Sequence, residues 1–392
     1  VVLVVDVILV LLLVLALVAG ASRGLMANLG ALAGLALGGV AAWWLMPVVS
    51  EVSPWPDARA VLVIATGAAL LLLGAFLGGA VGRALRRSTD RMRLKPLDRL
   101  LGGALTVVVA ALALSLAAQS VAVAGLPLVS AAVSSSRVLN AIDAVTPRPL
   151  TEALARVRQA VIADALPQLG ELIELGPPVD AVPTVDLDDP VLGAAAQSVA
   201  RVAGTAYACG QTLTGTGFVI AEDRVVTNAH VVAGVTAPVV ELPGRSAQEG
   251  RVVYFDPIDD LAVIAVDVQD AAALPVAPVL AVGESGVVDG YPYGGPFTTG
   301  QAVVRSVGPA LVPDIYDAER AAREIYALQA DVQPGNSGGP LLTADGQVAG
   351  VVFARADDGS QIGYAMTSSE LLPVLAQAPS LTSAVGTGGC VG

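Results

Sequence analysis

The sequence predicts a chain of two kinds: an N-terminal α-helical transmembrane bundle of four helices, followed after a linker by an all-β double barrel. Three observations predict it. Four long apolar segments fill the first third of the chain, and short β-like runs punctuated by Gly, Pro and Asp fill the second half. The charge also divides. Before residue 150 there are 11 basic and 6 acidic residues, a net +5, whereas from residue 150 onward 10 basic and 28 acidic residues give −18. Across 392 residues, 55% are hydrophobic and only 14% charged, which is high for one soluble domain. The acidic C-terminal half argues against nucleic-acid binding, which rests on basic neutralisation of phosphates.

The apolar segments are Val1 to Ala21, Leu29 to Met46, Ala60 to Val81 and Leu100 to Leu128, and only Asp6 brings a charge into any of them. Each is near the roughly 20 residues a helix needs to cross the hydrocarbon core. None shows a polar face at a 3.6-residue period, so buried helices of a soluble bundle are a poor alternative. The chain starts with Val, so either residues precede it or the start codon is unusual. Arg83, Arg86, Arg87, Arg91, Arg93, Lys95 and Arg99 crowd the connection between the third and fourth segments. The positive-inside rule puts that connection in the cytoplasm and both termini outside. Trp43, Trp44 and Trp55 then fall near the outer interface. Glycine pairs four apart, Gly34/Gly38, Gly74/Gly78 and Gly78/Gly82, allow close helix packing.

The expected division is 1–128 for the membrane domain, 129–193 for the linker and 194–392 for the β domain. Residues 125 to 146 are small and polar, an exit from the membrane. Leu150 to Leu175 carries apolar residues at Leu154, Val157, Val161, Leu166, Leu169 and Leu172, an amphipathic pattern that Pro167 divides into two short helices. Gly176 to Pro190 is rich in Pro and Asp and reads as a flexible tether. The linker shows no chemistry of its own.

The β domain carries the chemistry. In Asp331-Val332-Gln333-Pro334-Gly335-Asn336-Ser337-Gly338-Gly339-Pro340, glycines on both sides of one serine let the backbone turn sharply around its hydroxyl. That turn aims the N–H groups of Gly335 and Ser337, with Asn336 a third candidate, at a common point, as an oxyanion hole requires. An ordinary glycine-rich turn is the alternative, and a second observation decides against it. The one histidine of the chain, His230, sits in Val225-Val226-Thr227-Asn228-Ala229-His230-Val231-Val232, and Asp260 opens the apolar run Leu261 to Val266. A serine nucleophile needs a general base, and the base needs a carboxylate to fix its tautomer. The candidate triad is Ser337, His230 and Asp260, in the chain order His, Asp, Ser. Its acyl-transfer chemistry needs no cofactor.

Gly215–Ile220, Val225–Val232, Asp260–Val266, Pro334–Pro340 and Gly350–Phe353 together resemble the trypsin-like proteases of the bacterial HtrA branch. The whole layout resembles the actinobacterial membrane-anchored acid-resistance proteases of the MarP type, which join a colicin-V-production-like (CvpA) membrane domain to an extracytoplasmic protease. That resemblance implies a chymotrypsin-like double β-barrel, protein or peptide substrates in the cell envelope, and a role in acid or oxidative stress. About forty residues follow Gly350, so no PDZ domain is expected. Asp331 lies six residues before Ser337, the offset at which trypsin keeps its pocket carboxylate, and suggests a preference for Arg or Lys at the cleaved position. Trypsin-like zymogens mature when a freed amine pairs with a carboxylate beside the nucleophile. That neighbour here is the uncharged Asn336, so activity is expected without N-terminal processing. Residues Val351 to Ala354 are expected to pair with extended substrate as an added strand.

Cys209 and Cys390 bracket the β domain. With one histidine they cannot assemble a Cys/His zinc site, so no metal is expected. They are either two buried thiols or a disulfide, and an oxidising compartment favours the disulfide. Two rivals to the protease reading stand: a protease-like module that binds peptides without turnover, and a CvpA-like transport or secretion protein whose β domain is regulatory.

Overall fold

The computed structural model describes residues 2–52, 59–91, 95–123, 136–147, 150, 166–176 and 184–391. Two compact units divide the chain, Leu3–Ser115 and Leu116–Gly392.

The first unit is helical. Its helices are α1 (Val2–Arg23), α2 (Leu25–Val52), α3 (Arg59–Arg91) and α4 (Lys95–Val123), the last running past the unit boundary. All four are long and apolar enough to cross a membrane, over Leu3–Arg23, Leu25–Met46, Ala65–Leu85 and Pro96–Ala118. Arg83, Arg86, Arg87 and Arg91 belong to α3 and not to a loop. The helix outruns the hydrocarbon thickness, and basic residues suit its C-terminal end. Glycines set the helix contacts as the pairs suggested. A Cβ on Gly34 would strike the Gly74 carbonyl, and one on Gly78 would strike the Gly30 carbonyl, so α2 and α3 touch backbone to backbone. Between α1 and α4, the buried Asn28 Nδ2 donates to the carbonyls of Gly20 and Gly102, both at 3.1 Å. Trp43 and Trp44 are exposed on α2, while Trp55 lies outside the described residues.

The linker departs from expectation. A short helix, α5, spans Arg137–Val145, capped by Ser136, whose Oγ accepts from Leu139 N–H. Residues 151–165 lie outside the described residues. Leu166–Gly176 is extended, not helical, and contains the strand β1 (Gln168–Leu169). Pro167 removes one helical donor and disfavours helix before it. Ladder bonds to a β-sheet then outweigh the apolar spacing. At the end of the predicted tether, Pro190–Ala196 forms a helix, α6, with the Asp189 carboxylate accepting from Val191 N–H at 2.8 Å.

From Val199 the chain is mainly β. The first barrel holds β2 (Val199–Ala206), β3 (Gln211–Ala221), β4 (Arg224–Thr227), β5 (Val239–Glu241), β6 (Gln248–Glu249), β7 (Arg251–Asp256) and β8 (Leu261–Ala265), in the order β6-β5-β2-β3-β4-β8-β7. The second holds β9 (Ser285–Gly290), β10 (Thr298–Pro313), β11 (Arg320–Gln329), β12 (Pro340–Leu342), β13 (Val348–Ala356) and β14 (Ile362–Thr367). Its order is β1-β13-β12-β9-β10-β11-β14, and a β13–β14 pairing closes it. A terminal helix over Ser368–Gln377 packs on β13 and β14.

The two-residue period of a strand divides the core into layers. Every residue of β8 is buried. Ala262 and Ile264 face the interior of the first barrel, whereas Leu261, Val263 and Ala265 join a cluster shared by both barrels. Phe218 and Val226 meet Ile325, Phe353 and Met366 in that shared cluster. The loops carrying the candidate triad grow from the strands around it. Cys209 and Cys390 form a disulfide with Cα atoms 6.4 Å apart. Next to it, Gly234 N–H donates to the Thr387 carbonyl at 3.0 Å and Thr387 Oγ1 donates to the Val235 carbonyl at 3.0 Å, fixing the C-terminal segment to the first barrel.

Candidate active site

His230 stands on the single turn Ala229–Val232 that follows β4, and Asp260 on the turn between β7 and β8. Asp256 shapes the second turn, its Oδ1 accepting from Ile258 N–H at 2.9 Å and Asp259 N–H at 3.1 Å. Asp260 itself takes φ +55, a left-handed conformation that Asp tolerates better than most residues. The turn delivers its carboxylate to His230. Nδ1 lies 2.8 Å from Oδ2 and 3.0 Å from Oδ1, and the His230 backbone N–H donates to Oδ1 at 3.0 Å. Asn228 Nδ2 donates to the Asp260 carbonyl at 2.8 Å, tying the two turns together. Both side chains are buried. With Nδ1 committed to the carboxylate, Nε2 is left as the ring's proton acceptor.

Ser337 Oγ and His230 Nε2 are both buried and make no hydrogen bond, to each other or to anything else described. Bonds of this kind are often open in free enzymes and close when substrate binds. The backbone around Ser337 is fixed from both barrels. Thr216 N–H donates to the Ser337 carbonyl at 2.8 Å, and Gly338 N–H donates to the Val352 carbonyl at 2.8 Å. Thr216 Oγ1 donates to the Gly335 carbonyl at 2.6 Å while accepting from Tyr291 N–H at 3.0 Å. Gly338 takes φ +81, where a side chain would strike the Thr216 carbonyl and Thr227 Oγ1.

Of the three proposed oxyanion donors, Asn336 is corrected. Its N–H donates to the Gln333 carbonyl at 2.9 Å, and its Oδ1 accepts from Gln333 N–H at 3.0 Å. Asn336 therefore closes the turn on itself, doing locally what an ion pair would otherwise do. The Pro334 carbonyl accepts from Tyr293 N–H. Because the peptide is planar and trans, the Gly335 N–H points away from Tyr293.

A trypsin-like peptidase domain model matches residues 215–351, and a colicin V production protein model matches residues 5–147. Serine protease Rv3671c of Mycobacterium tuberculosis is 35% identical over 385 residues, 95% of each chain. The chain belongs to the Rv3671c family of serine proteases. The crystal structure of the active form of the Rv3671c protease superposes with a TM-score of 0.51 at 38% identity, covering 56% of this chain and all of that one. The putative serine protease HhoA of Synechocystis is 34% identical over 45% of this chain and 44% of its own length.

This Rv3671c-family protease holds groups near the candidate triad that the sequence did not expose. Arg323 is almost wholly buried, beside Asp260 and Asp259, with its guanidinium 5.6 Å from the centre of the Phe353 ring. It donates to the Pro313 carbonyl at 2.6 Å and the Asp259 carbonyl at 3.3 Å. Burial lowers its pKa, and the neighbouring carboxylates, Asp260 first, oppose that shift. Nothing in Arg320-Ala-Ala-Arg323 marks one arginine as internal. Asp289, on β9, is also buried, and burial pushes its carboxyl up to about 6.

Asp331 does not share the cleft with His230. It borders a separate cavity of about 520 Å³ with Pro292, Tyr293, Thr299 and Asn336, and it accepts from Gln333 Nε2. No residue of β13 lines that cavity. The expected substrate edge also shifts along β13. Val351 pairs with Pro340 and Met366, and Val352 N–H donates to the Gly339 carbonyl at 2.9 Å. The edge beyond the Ser337 turn therefore begins at Phe353 and runs past Arg355.

Proposed function

We propose that the chain is a membrane-anchored extracytoplasmic endopeptidase that works through a Ser337–His230–Asp260 acyl-enzyme mechanism. The observation that carries it is the His230–Asp260 couple, made at 2.8 Å at one ring nitrogen with the other left unpaired. Ser337 Oγ attacks the peptide carbonyl as His230 Nε2 takes its proton. The N–H groups of Gly335 and Ser337 hold the oxyanion, and His230 returns the proton to the leaving amine. Water then enters by the same route and releases the acyl group.

The proposed setting is a multi-pass membrane protein with the protease on the outer side, supported by the four apolar helices and the basic residues at the C-terminal end of α3 and the start of α4. Its substrates are envelope proteins, and its task is resistance to acid or oxidative stress. Fluorophosphonate labelling of Ser337 that disappears in His230→Ala tests the chemistry. Absence of labelling in the wild-type chain would overturn it. Envelope cleavage products present in wild type and missing in Ser337→Ala would identify the substrates. The match of residues 5–147 to colicin V production proteins favours one second reading, a membrane function independent of proteolysis. A phenotype that survives Ser337→Ala but not loss of the helices would establish it.

A further inference from the structure

The cleft that holds His230 has a volume of about 700 Å³, and one of its walls comes from the linker, which adds the edge strand β1 to the second barrel's sheet. Leu166 to Leu172, from the linker, face His230, Asp260, Arg323 and Phe353 across it. This segment is bonded into the protease along its length. β1 runs parallel to the end of β13, with Gln168 opposite Arg355 and Leu169 opposite Ala356. Arg355 N–H donates to the Pro167 carbonyl and Asp357 N–H to the Leu169 carbonyl, both at 3.1 Å. Leu166 is only 3% exposed and shares a buried cluster with Val332, Val352 and Ala365, next to the nucleophile turn. Further on, Gly176 N–H donates to Ser306 Oγ at 2.9 Å, Ser306 Oγ donates to the Glu174 carbonyl at 2.6 Å, and Arg305 donates to the Gly176 carbonyl at 2.7 Å.

We infer that Leu166–Gly176 is a resident blocking strand on the peptide-binding edge of β13, and that the partner this edge fits is an extended peptide carrying an apolar side chain where Leu166 now sits. The inference rests on the endopeptidase reading for its functional sense. An exposed strand edge binds peptides through main-chain bonds, with pockets for alternate side chains supplying selection. Here the main-chain donors of Arg355 and Asp357 and an apolar pocket are all used by the chain itself. Any polypeptide using the same donors must displace this strand. The linker thus sets a threshold for access and leaves the triad geometry untouched.

The test uses the full chain in lipid nanodiscs. A fluorescent synthetic peptide with the sequence of Leu166–Gly176 is titrated into Ser337→Ala protein, alone or with Leu166→Asp or Ser306→Ala. Where the resident strand is docked nine-tenths of the time, its release lowers the apparent Kd of the added peptide about tenfold. Hydrogen exchange at the Arg355 and Asp357 amides should quicken in the same variants. Ser306→Ala removes only one hydroxyl and keeps the test valid where Leu166→Asp misfolds. An unchanged Kd and unchanged exchange in both variants would overturn the inference. Fluorophosphonate labelling of the Ser337 forms separates the two readings. Missing labels with a responsive Kd would remove proteolysis and leave the blocking strand standing.

Discussion

One carboxylate, Asp260, accepts from His230 twice, at the ring Nδ1 and at the backbone N–H, so the imidazole is fixed in position as well as in tautomer. An amide in its place would keep the volume and lose the acceptor pair. Asp260→Asn should therefore fold normally and lower kcat by about 10⁴-fold. His230→Ala should leave no more than a trace of activity. Steady-state kinetics on a peptide substrate check both, and near-wild-type turnover in either would remove the triad assignment.

The positive charge of Arg323 lies beside the proposed catalytic carboxylate, Asp260, where it would act as a positioning residue. Removing that charge makes the field around the His230–Asp260 couple more negative. The acid limb of the kcat/KM profile should then move to higher pH in Arg323→Met and return in Arg323→Lys. A uniform loss of rate with the limb unmoved would indicate a purely structural role.

Asp289 gives a pH dependence of the opposite kind. Burial raises its carboxyl from 3.8 to about 6, and Thr299, its neighbour across the ladder, offsets only part of that. Between those values the folded state holds a proton that the unfolded state has lost, so stability falls as pH rises and grows on acidification. The full effect is about 3 kcal/mol. Asp289→Asn should be the more stable protein at neutral pH, with the difference in Tm shrinking toward pH 4 to 5. A difference that widens in acid would contradict this.

The disulfide closes a loop between residues 181 apart, on a segment already bonded to the first barrel. Reduction should lower stability by up to about 5 kcal/mol in the chain-entropy model. Thermal melts with and without reductant measure it, and finding both thiols free in protein from its native compartment would defeat the pairing.

Asn336 bonds to Gln333 through both its backbone N–H and its side-chain oxygen, so no incoming amine is needed to order the turn. A chain beginning at Val185 with unrelated residues fused ahead of it should cleave peptides without trimming. Activity that waits for a new N-terminus would show the opposite.

The membrane helices and the candidate triad could be read from the sequence because each depends on short-range pattern: unbroken apolar length, or a functional group in a turn of glycines and small polar residues. Features fixed by long-range contact could not. Leu166, Leu169 and Leu172 fit a helical period, and only the ladder to Arg355 and Asp357 shows why they lie extended. Arg323 looks like any surface arginine until two turns fold over it. Thr216 stood in plain view between two glycines, yet its hold on the Gly335 carbonyl spans 119 residues. Asp331 kept its predicted spacing and faces a different cavity, because spacing along a loop does not fix which wall a side chain joins.

The buried ring of His230, bound at Nδ1 and bare at Nε2, belongs to the only histidine in 392 residues. Protein grown with isotope-labelled histidine would consequently give a single set of imidazole resonances, with no surface ring to overlap it. Nitrogen shifts at those two positions would follow tautomer, protonation and substrate engagement directly, even in a particle as large as a lipid nanodisc.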